Sequence, residues 1–189
     1  MSTSYPAALD NLTNPAATDP LSSPSHSSQH ANANDAIEAM QAAMGVKLNA
    51  RVRATRTTTQ SITNTTDTAI AFTTEDFDTD AFHDNVTNNS RLTVPASMGG
   101  IYLIIANVEF AANATGLRQL TMRINGNAAT TNTVGMANTP TGNATRISRL
   151  SASGIVSLSA ADYVEAYVFQ ESGGNLNVNV AQLMMVKIA

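Results

Sequence analysis

From Ala50 onward the apolar positions recur every second residue, the period of a half-buried strand. Before that point they recur, where they recur at all, at spacings of three and four. The densest run is Gly100 to Ala112, in which Ile101, Tyr102, Ile104, Ile105, Val108 and Phe110 favour a pleated strand. No proline interrupts it, so it fits inside a sheet. Ile101, Leu103 and Ile105 share one face; Tyr102, Ile104, Ala106, Val108 and Phe110 share the other. Both faces are apolar, broken only by Asn107 and Glu109 near the end. A strand with one wet face would alternate, so this one is expected to be covered twice, by the core on one side and by another subunit on the other. Tyr102 and Phe110 are assigned to the subunit contact.

Other two-residue patterns surround it. Val52 and Ala54 alternate with outward Arg51, Arg53 and Arg56. Gln60–Ile62, 68–72 and 91–94 read as short strands, the last ended by Pro95. Leu117 to Asn125 sets Arg118, Leu120, Met122 and Ile124 against Leu117, Gln119, Thr121 and Arg123. Asn125-Gly126 is the strongest hairpin signal, with a return expected over 128–134 and a polar loop over 136–144. Arg146–Leu158, Tyr163–Gln170 and Leu176–Ile188 follow, the last two joined through Ser172-Gly173-Gly174-Asn175. About eight to ten short strands with turns between them predict a β-sandwich, and a jelly roll suits that number. On the strand 163–170, Tyr163, Tyr167 and Phe169 share a face with Glu165, opposite Val164, Ala166 and Val168. Aromatics are enriched where subunits meet, so the tyrosine face is assigned to the interface and the valine face to the core.

The first 49 residues differ. Pro6, Pro15, Pro20 and Pro24 punctuate residues 1–31, where Tyr5, Leu9, Leu12 and Leu21 are too few to build a core. This is an extended arm, and Tyr5, Leu9 and Leu12 are its candidate anchors for docking on a larger particle. Residues 32–46 predict one short helix, with Asn32 as cap, Asp35 and Glu38 in the first turns and Gly45 as the stop. Ile37, Met40 and Met44 form a narrow apolar stripe. A helix this short is marginal alone, and the stripe fits a seam between copies. The domains expected are therefore the arm 1–31, the trimerising helix 32–46 and the head 50–189.

Composition narrows the chemistry. Of 189 residues, 5% are aromatic and 13% charged, both low; Thr, Asn, Ser and Ala fill the difference. A net charge of −4 is weak and of the wrong sign for nucleic acid. No cysteine is present, which removes disulfides and thiolate chemistry. No apolar run is long enough to cross a membrane. Glu75, Asp76, Asp78, Asp80 and Asp84 crowd one short stretch, but Ala81 and Thr87 stand where an EF-hand loop needs glycine and glutamate. These acids are expected to cap turn amides, with a calcium site of other geometry as the alternative. His26 and His30 would share a helix face, although Pro24 and the serines favour irregular chain there. His83, Asp84 and Ser90 form at most part of a catalytic set, without a Gly-x-Ser-x-Gly elbow. Neither glycine pair is followed by a helix and lysine, so no phosphate loop is present. Neither catalytic residues nor a cofactor or metal are expected.

The head resembles the C1q/TNF-like jelly-roll heads of bacterial and phage proteins. The matching words are Phe77-Asp78-Thr79-Asp80, His83-Asp84, Arg91-Leu92-Thr93-Val94, Gly100-Ile101-Tyr102-Leu103, Arg123-Ile124-Asn125-Gly126, Leu158 with Asp162-Tyr163-Val164-Glu165, and Gly173-Gly174. Ala81 and Ala161 stand where that family usually has glycine. Pro24-Ser25-His26, Gln29-His30 and the run from Asn34 to Gln41 resemble the leaders of phage virion proteins, which precede a fibre, spike or knob. The resemblance implies a homotrimer on the surface of a virion made in a bacterial cytoplasm. It also implies attachment to other capsid or tail proteins through residues 1–31. A head that binds a host receptor or surface glycan is the alternative, with the polar segment 131–145 as the expected binding surface.

Overall fold

The computed structural model of the protein describes residues 25–140 and 142–189. The chain divides at Asn49/Ala50 into two units. In the first, helix α1 spans His26–Asn49, 24 residues, or about 36 Å of axis. It is longer at both ends than the pattern suggested. Its cap is Ser25 rather than Asn32. The Ser25 side chain accepts the Ser28 amide at 3.2 Å, and the Gln29 amide donates to the Ser25 carbonyl at 3.1 Å, the geometry of a serine N-cap. The serines read as irregular are the helix's first turn, and His26 and His30 both lie on it. Gly45 is carried inside the helix rather than ending it. Ile37 and Met40 are 48% and 44% exposed, and the Met44 side chain lies outside the described set. Tyr5, Leu9 and Leu12 also lie outside the described residues.

The second unit is a sandwich of two antiparallel sheets. Its strands are β1 (Arg51–Arg56), β2 (Gln60–Ile62), β3 (Thr68–Ala69), β4 (Thr74–Asp78), β5 (Arg91–Thr93), β6 (Gly100–Phe110), β7 (Arg118–Ile124), β8 (Thr133–Thr139), β9 (Ser148–Leu158), β10 (Tyr163–Gln170) and β11 (Leu176–Lys187). The first sheet runs β4-β1-β11-β6-β9, with β2 also on β11; the second runs β3-β10-β7-β8, with β5 also on β10. Alternation decides what each strand turns inward. Val52 and Ala54 of β1, Leu120 and Met122 of β7, Val164, Ala166 and Val168 of β10, and Leu183 and Met185 of β11 are all buried between the sheets. Phe82 meets Tyr102 edge-on at 6.1 Å between centroids, a favoured aromatic geometry.

Three local readings change. The acidic stretch starts as a strand, because Thr74–Asp78 pairs antiparallel with β1 at the sheet edge. Asn125 and Gly126 do make a turn with positive φ at both positions, 53° and 69°, and the Asn127 amide returns to the Ile124 carbonyl at 3.0 Å. The return strand nevertheless waits for a short 3-10 turn over Thr130–Asn132 and begins only at Thr133. The segment expected to be a polar loop is therefore half strand. Edge strands β8 and β9 come together where Gly154 leaves room: a Cβ there would sit 2.1 Å from the Val134 carbonyl oxygen.

Ala81 and Ala161 hold left-handed backbone, at φ 60° and 71°. At both, the resemblance anticipates glycine, the residue for which that conformation carries no Cβ clash. Non-glycine residues lose about 1–2 kcal/mol there, and glycine returns part of that through its freer unfolded chain. Ala161→Gly is therefore expected to stabilise the head by about 0.5–1 kcal/mol, read as a higher thermal midpoint. A lower midpoint would show that the methyl group makes a contact that matters more than the strain.

Candidate functional site

The outward face of the first sheet carries a row of apolar side chains. Antiparallel register sets its rows. Leu103 of β6 lies between Val186 of β11 and Ile155 of β9; Ile105 lies between Met184 and Ser153; Asn107 lies between Gln182 and Ser151. With Ile101, this puts six large apolar side chains side by side, with Ile155 65% and Ile101 40% exposed. Polar groups close the surface at both ends. Arg53 pairs with Asp76 at 2.9 Å and Arg149 with Glu109 at 3.0 Å. Next to the second pair a cavity of about 380 Å³ is lined by Asn107, Leu150, Ser151, Val180 and Gln182 among others. The surface is thus aliphatic in the middle and self-neutralised at its edges.

This corrects the assignment of faces on the central strand. Tyr102 and Phe110 are fully buried between the sheets, so they are core residues of a single chain and not contact residues. The outward set is Ile101, Leu103 and Ile105. Both faces are apolar, and the face that turns inward is the one carrying the larger aromatic rings. Only packing against the second sheet distinguishes them.

The tyrosine face does point outward, with the valine face in the core. Its side chains already have partners within the chain. The Arg91 guanidinium lies 4.5 Å over the Tyr163 ring and Arg123 lies 4.3 Å over Tyr167. Glu165 accepts Ser90 Oγ at 2.6 Å and the Tyr167 hydroxyl at 3.2 Å, and Arg123 reaches Asp67 at 2.7 Å. Phe169 is half-buried on the same face.

Burial, then Asp80, raises the Tyr102 phenol above its ordinary value of 10.0. Burial, then Glu165, does the same for Tyr167. The folded state therefore holds these protons more tightly than the unfolded chain. Their contribution is complete below the unfolded value and is lost as pH rises through the folded ones. The thermal midpoint is expected to fall above pH 10, and less steeply in Tyr167→Phe. Identical slopes in the two proteins would place the alkaline loss elsewhere.

The acidic stretch is a loop organiser. Asp78 accepts the amides of Asp80, Phe82 and His83 at 3.2, 3.0 and 2.8 Å. Asp84 is held below the usual carboxylate range by the amides of Thr87 and Val86. His83, its ring inaccessible to solvent, meets Glu75 at 2.9 Å through Nδ1 and the Asn89 carbonyl at 3.1 Å through Nε2. Both ring nitrogens are thus engaged, and Ser90 is turned toward Glu165. His83, Asp84 and Ser90 are brought close in sequence but serve three separate hydrogen-bond sets. Among the described residues no group of three acidic or histidine side chains is arranged to hold a metal ion. Asp78→Ala is expected to cost about 2–3 kcal/mol by stranding its three amides, whereas a chelator leaves the thermal midpoint of the unmutated protein unchanged. A large chelator-dependent drop would establish a calcium site instead.

Sequence reasoning missed one organiser altogether. Arg118 sits on the apolar face of β7 and is fully buried. Its Nη1 donates to the carbonyls of Thr115, Gly116 and Leu117 at 2.7, 2.9 and 3.1 Å, and its Nη2 to Asn113 at 3.1 Å. Burial lowers its pKa from the usual arginine value. The signal was present, since a charged residue took the first apolar position of an otherwise clean alternation.

No protein-family model matches the sequence, and no curated protein is similar to it. Solved structures do share the architecture. PRD1 vertex protein P5 superposes with a TM-score of 0.54 at 12% identity, over 74% of this chain and 73% of that one. The globular domain of zebrafish complement 1qA protein gives 0.47 at 13% identity, over 75% and 98%. Eiger TNF from S. frugiperda gives 0.49 at 10% identity, over 74% and 92%. At 12% identity the likeness to P5 carries the fold and nothing finer. With two antiparallel sheets and this strand order, the head is a jelly-roll sandwich, similar in architecture to C1q/TNF-like heads.

Proposed function

We propose that the chain is a non-enzymatic structural protein of a bacteriophage particle: a surface-exposed homotrimer, serving as capsid decoration, head fibre or tail fibre, and anchored through its N-terminal arm. The observation that carries the reading is the outward aliphatic face of the first sheet, where exposed Ile101 and Ile155 stand together with half-buried Leu103, Ile105, Met184 and Val186. A contiguous apolar surface of this kind on a soluble head marks a contact. A second copy of the chain suits it, because its edges are already neutralised by internal ion pairs and offer a partner no net charge to match. The tyrosine face is the less suited of the two, its arginines and carboxylate being engaged within the chain. The fold shared with a phage vertex protein supports the particle as the setting.

In this reading the exposed stripe of Ile37 and Met40 gathers three helices, and the arms, with Tyr5, Leu9 and Leu12, reach the particle. Three weak linked contacts hold far better than one when all reach their sites together. Removing residues 1–24 leaves the helix and head whole. The truncated protein is expected to remain a folded trimer and to be absent from purified particles. Incorporation at the normal copy number would place the attachment on the head and overturn the role given to the arm.

A further inference from the structure

We infer that the cavity between the β4–β5 loop and strand β5 binds a saccharide that carries a carboxylate. The cavity measures about 590 Å³ and is lined by Glu75, Asn85, Val86, Asn88, Arg91 and Thr93 among others. That volume lies in the range of small-molecule sites and exceeds what a bare inorganic anion fills. None of its lining residues belongs to the aliphatic face of the first sheet, so it stays open when copies associate there.

Arg91 carries the inference. Its guanidinium stacks on Tyr163, which fixes the plane of the group. Its side chain makes no ion pair and no hydrogen bond among the described residues; Glu165 stands opposite it in register across β5 and β10, but that carboxylate takes Ser90 and Tyr167 instead. Three other outward arginines, Arg53, Arg123 and Arg149, each hold a carboxylate. A planar donor held rigid and left without an acceptor is matched by a planar carboxylate. The two acids lining the same cavity do not supply it. Asp84 turns its Oδ1 to the amides of Val86 and Thr87 and makes no ion pair with Arg91. Glu75 takes His83 and Asn85 on Oε1, leaving Oε2 to accept a ligand hydroxyl.

The rest of the wall suits a sugar ring. Asn85, Asn88 and Thr93 offer hydroxyl partners, and Val86, 88% exposed at the loop tip, offers an apolar surface for ring C–H groups. The loop is pre-ordered by the Asp78 and Asp84 amide contacts, so little ordering entropy is lost on binding. The inference rests on the reading of the head as the outward part of a particle, where host-surface polysaccharide is the accessible ligand.

The test uses the full-length protein and three probes: galacturonic acid, glucuronic acid and N-acetylneuraminic acid. Galactose and glucose serve as neutral controls. Titration into the millimolar range, followed by amide chemical shifts or calorimetry, is expected to show at least one acid binding about tenfold more tightly than the neutral sugars. Arg91→Gln should abolish that preference, while Arg91→Lys, which keeps the charge but not the planar fork, retains part of it. Arg149→Gln should leave it intact. Failure of all three acids to bind, equal binding of neutral sugars, or an acid preference surviving in Arg91→Gln would overturn the inference. Light scattering on the same samples separates this from the assembly reading: a trimer that binds none of the acids sinks only the saccharide site.

Discussion

Replacing Ile105 and Met184 together by glutamate should convert the assembled protein to monomers without unfolding it. The two residues are register partners across β6 and β11 and both point away from the core. Covering each apolar side chain contributes about 1.5–3 kcal/mol, and in the proposed trimer the contact recurs once per subunit around a closed ring. The substitution removes that contribution and places carboxylates where no cation waits for them, at a desolvation cost of several kcal/mol each. The core is untouched, so the far-ultraviolet spectrum and the monomer's own unfolding should stay close to those of the parent. Light scattering at micromolar concentration is expected to give three times the chain mass of 19.8 kDa for the parent and the single mass for the variant. A monomeric parent, or a variant that remains trimeric, would remove this face from the assembly. Tyr163→Ser with Tyr167→Ser is the companion experiment. Dissociation by that pair alone would return the contact to the tyrosine face.

The other large effect is expected from Arg118→Met. The methionine fills much of the space but leaves the carbonyls of Asn113, Thr115 and Gly116 without the guanidinium donor, while the Leu117 carbonyl keeps the Glu171 amide at 3.0 Å. Each buried acceptor left unpaired costs about 1–3 kcal/mol. Relaxation of the loop toward water recovers part of this, so a net loss of about 3–5 kcal/mol is expected. In a head of this size that lowers the thermal midpoint by about 10–20 °C. Arg118→Lys, with one compact ammonium in place of the fork, should fall between the two. A midpoint for Arg118→Met within a degree or two of the parent would mean that the loop 113–117 is held by its neighbours and not by the guanidinium.

Much of the fold is legible in the alternation. Gln60–Ile62 and Tyr163–Gln170 run as the pattern lays them out, and β11 differs from its pattern only at the end. The pattern works there because one face of each strand is buried, and burial of a period-two set excludes every other register. It works poorly where the chain is polar on both sides. Thr74–Asp78 reads as acidic loop, yet it pairs with β1 because an edge strand needs only a backbone partner and can keep charged side chains in water. The pattern starts the helix too late for a related reason: serines are weak helix formers inside a helix and favoured at its cap, and composition alone does not say which position they take.

What the sequence by itself determines is which residues share a face, which turns need left-handed backbone, and that the head is built of short antiparallel strands; these follow from local stereochemistry, which acts over a few residues. What the tertiary structure alone decides is which of two apolar faces turns inward, and where a buried charge finds its acceptors. Ile101, Leu103 and Ile105 are as apolar as the set beside them, and only the second sheet, with Phe82 placed to meet Tyr102, makes Tyr102 core and leaves the isoleucines outside. Arg118 sits on an apolar face, and four carbonyls gathered from the loop before it take up its Nη1 and Nη2. Arg91 is one residue among outward arginines until the fold stacks it on Tyr163 without an ion pair. Each of these is a contact between segments distant in sequence or turned back on themselves, and its energy exists only once the chain has brought them together.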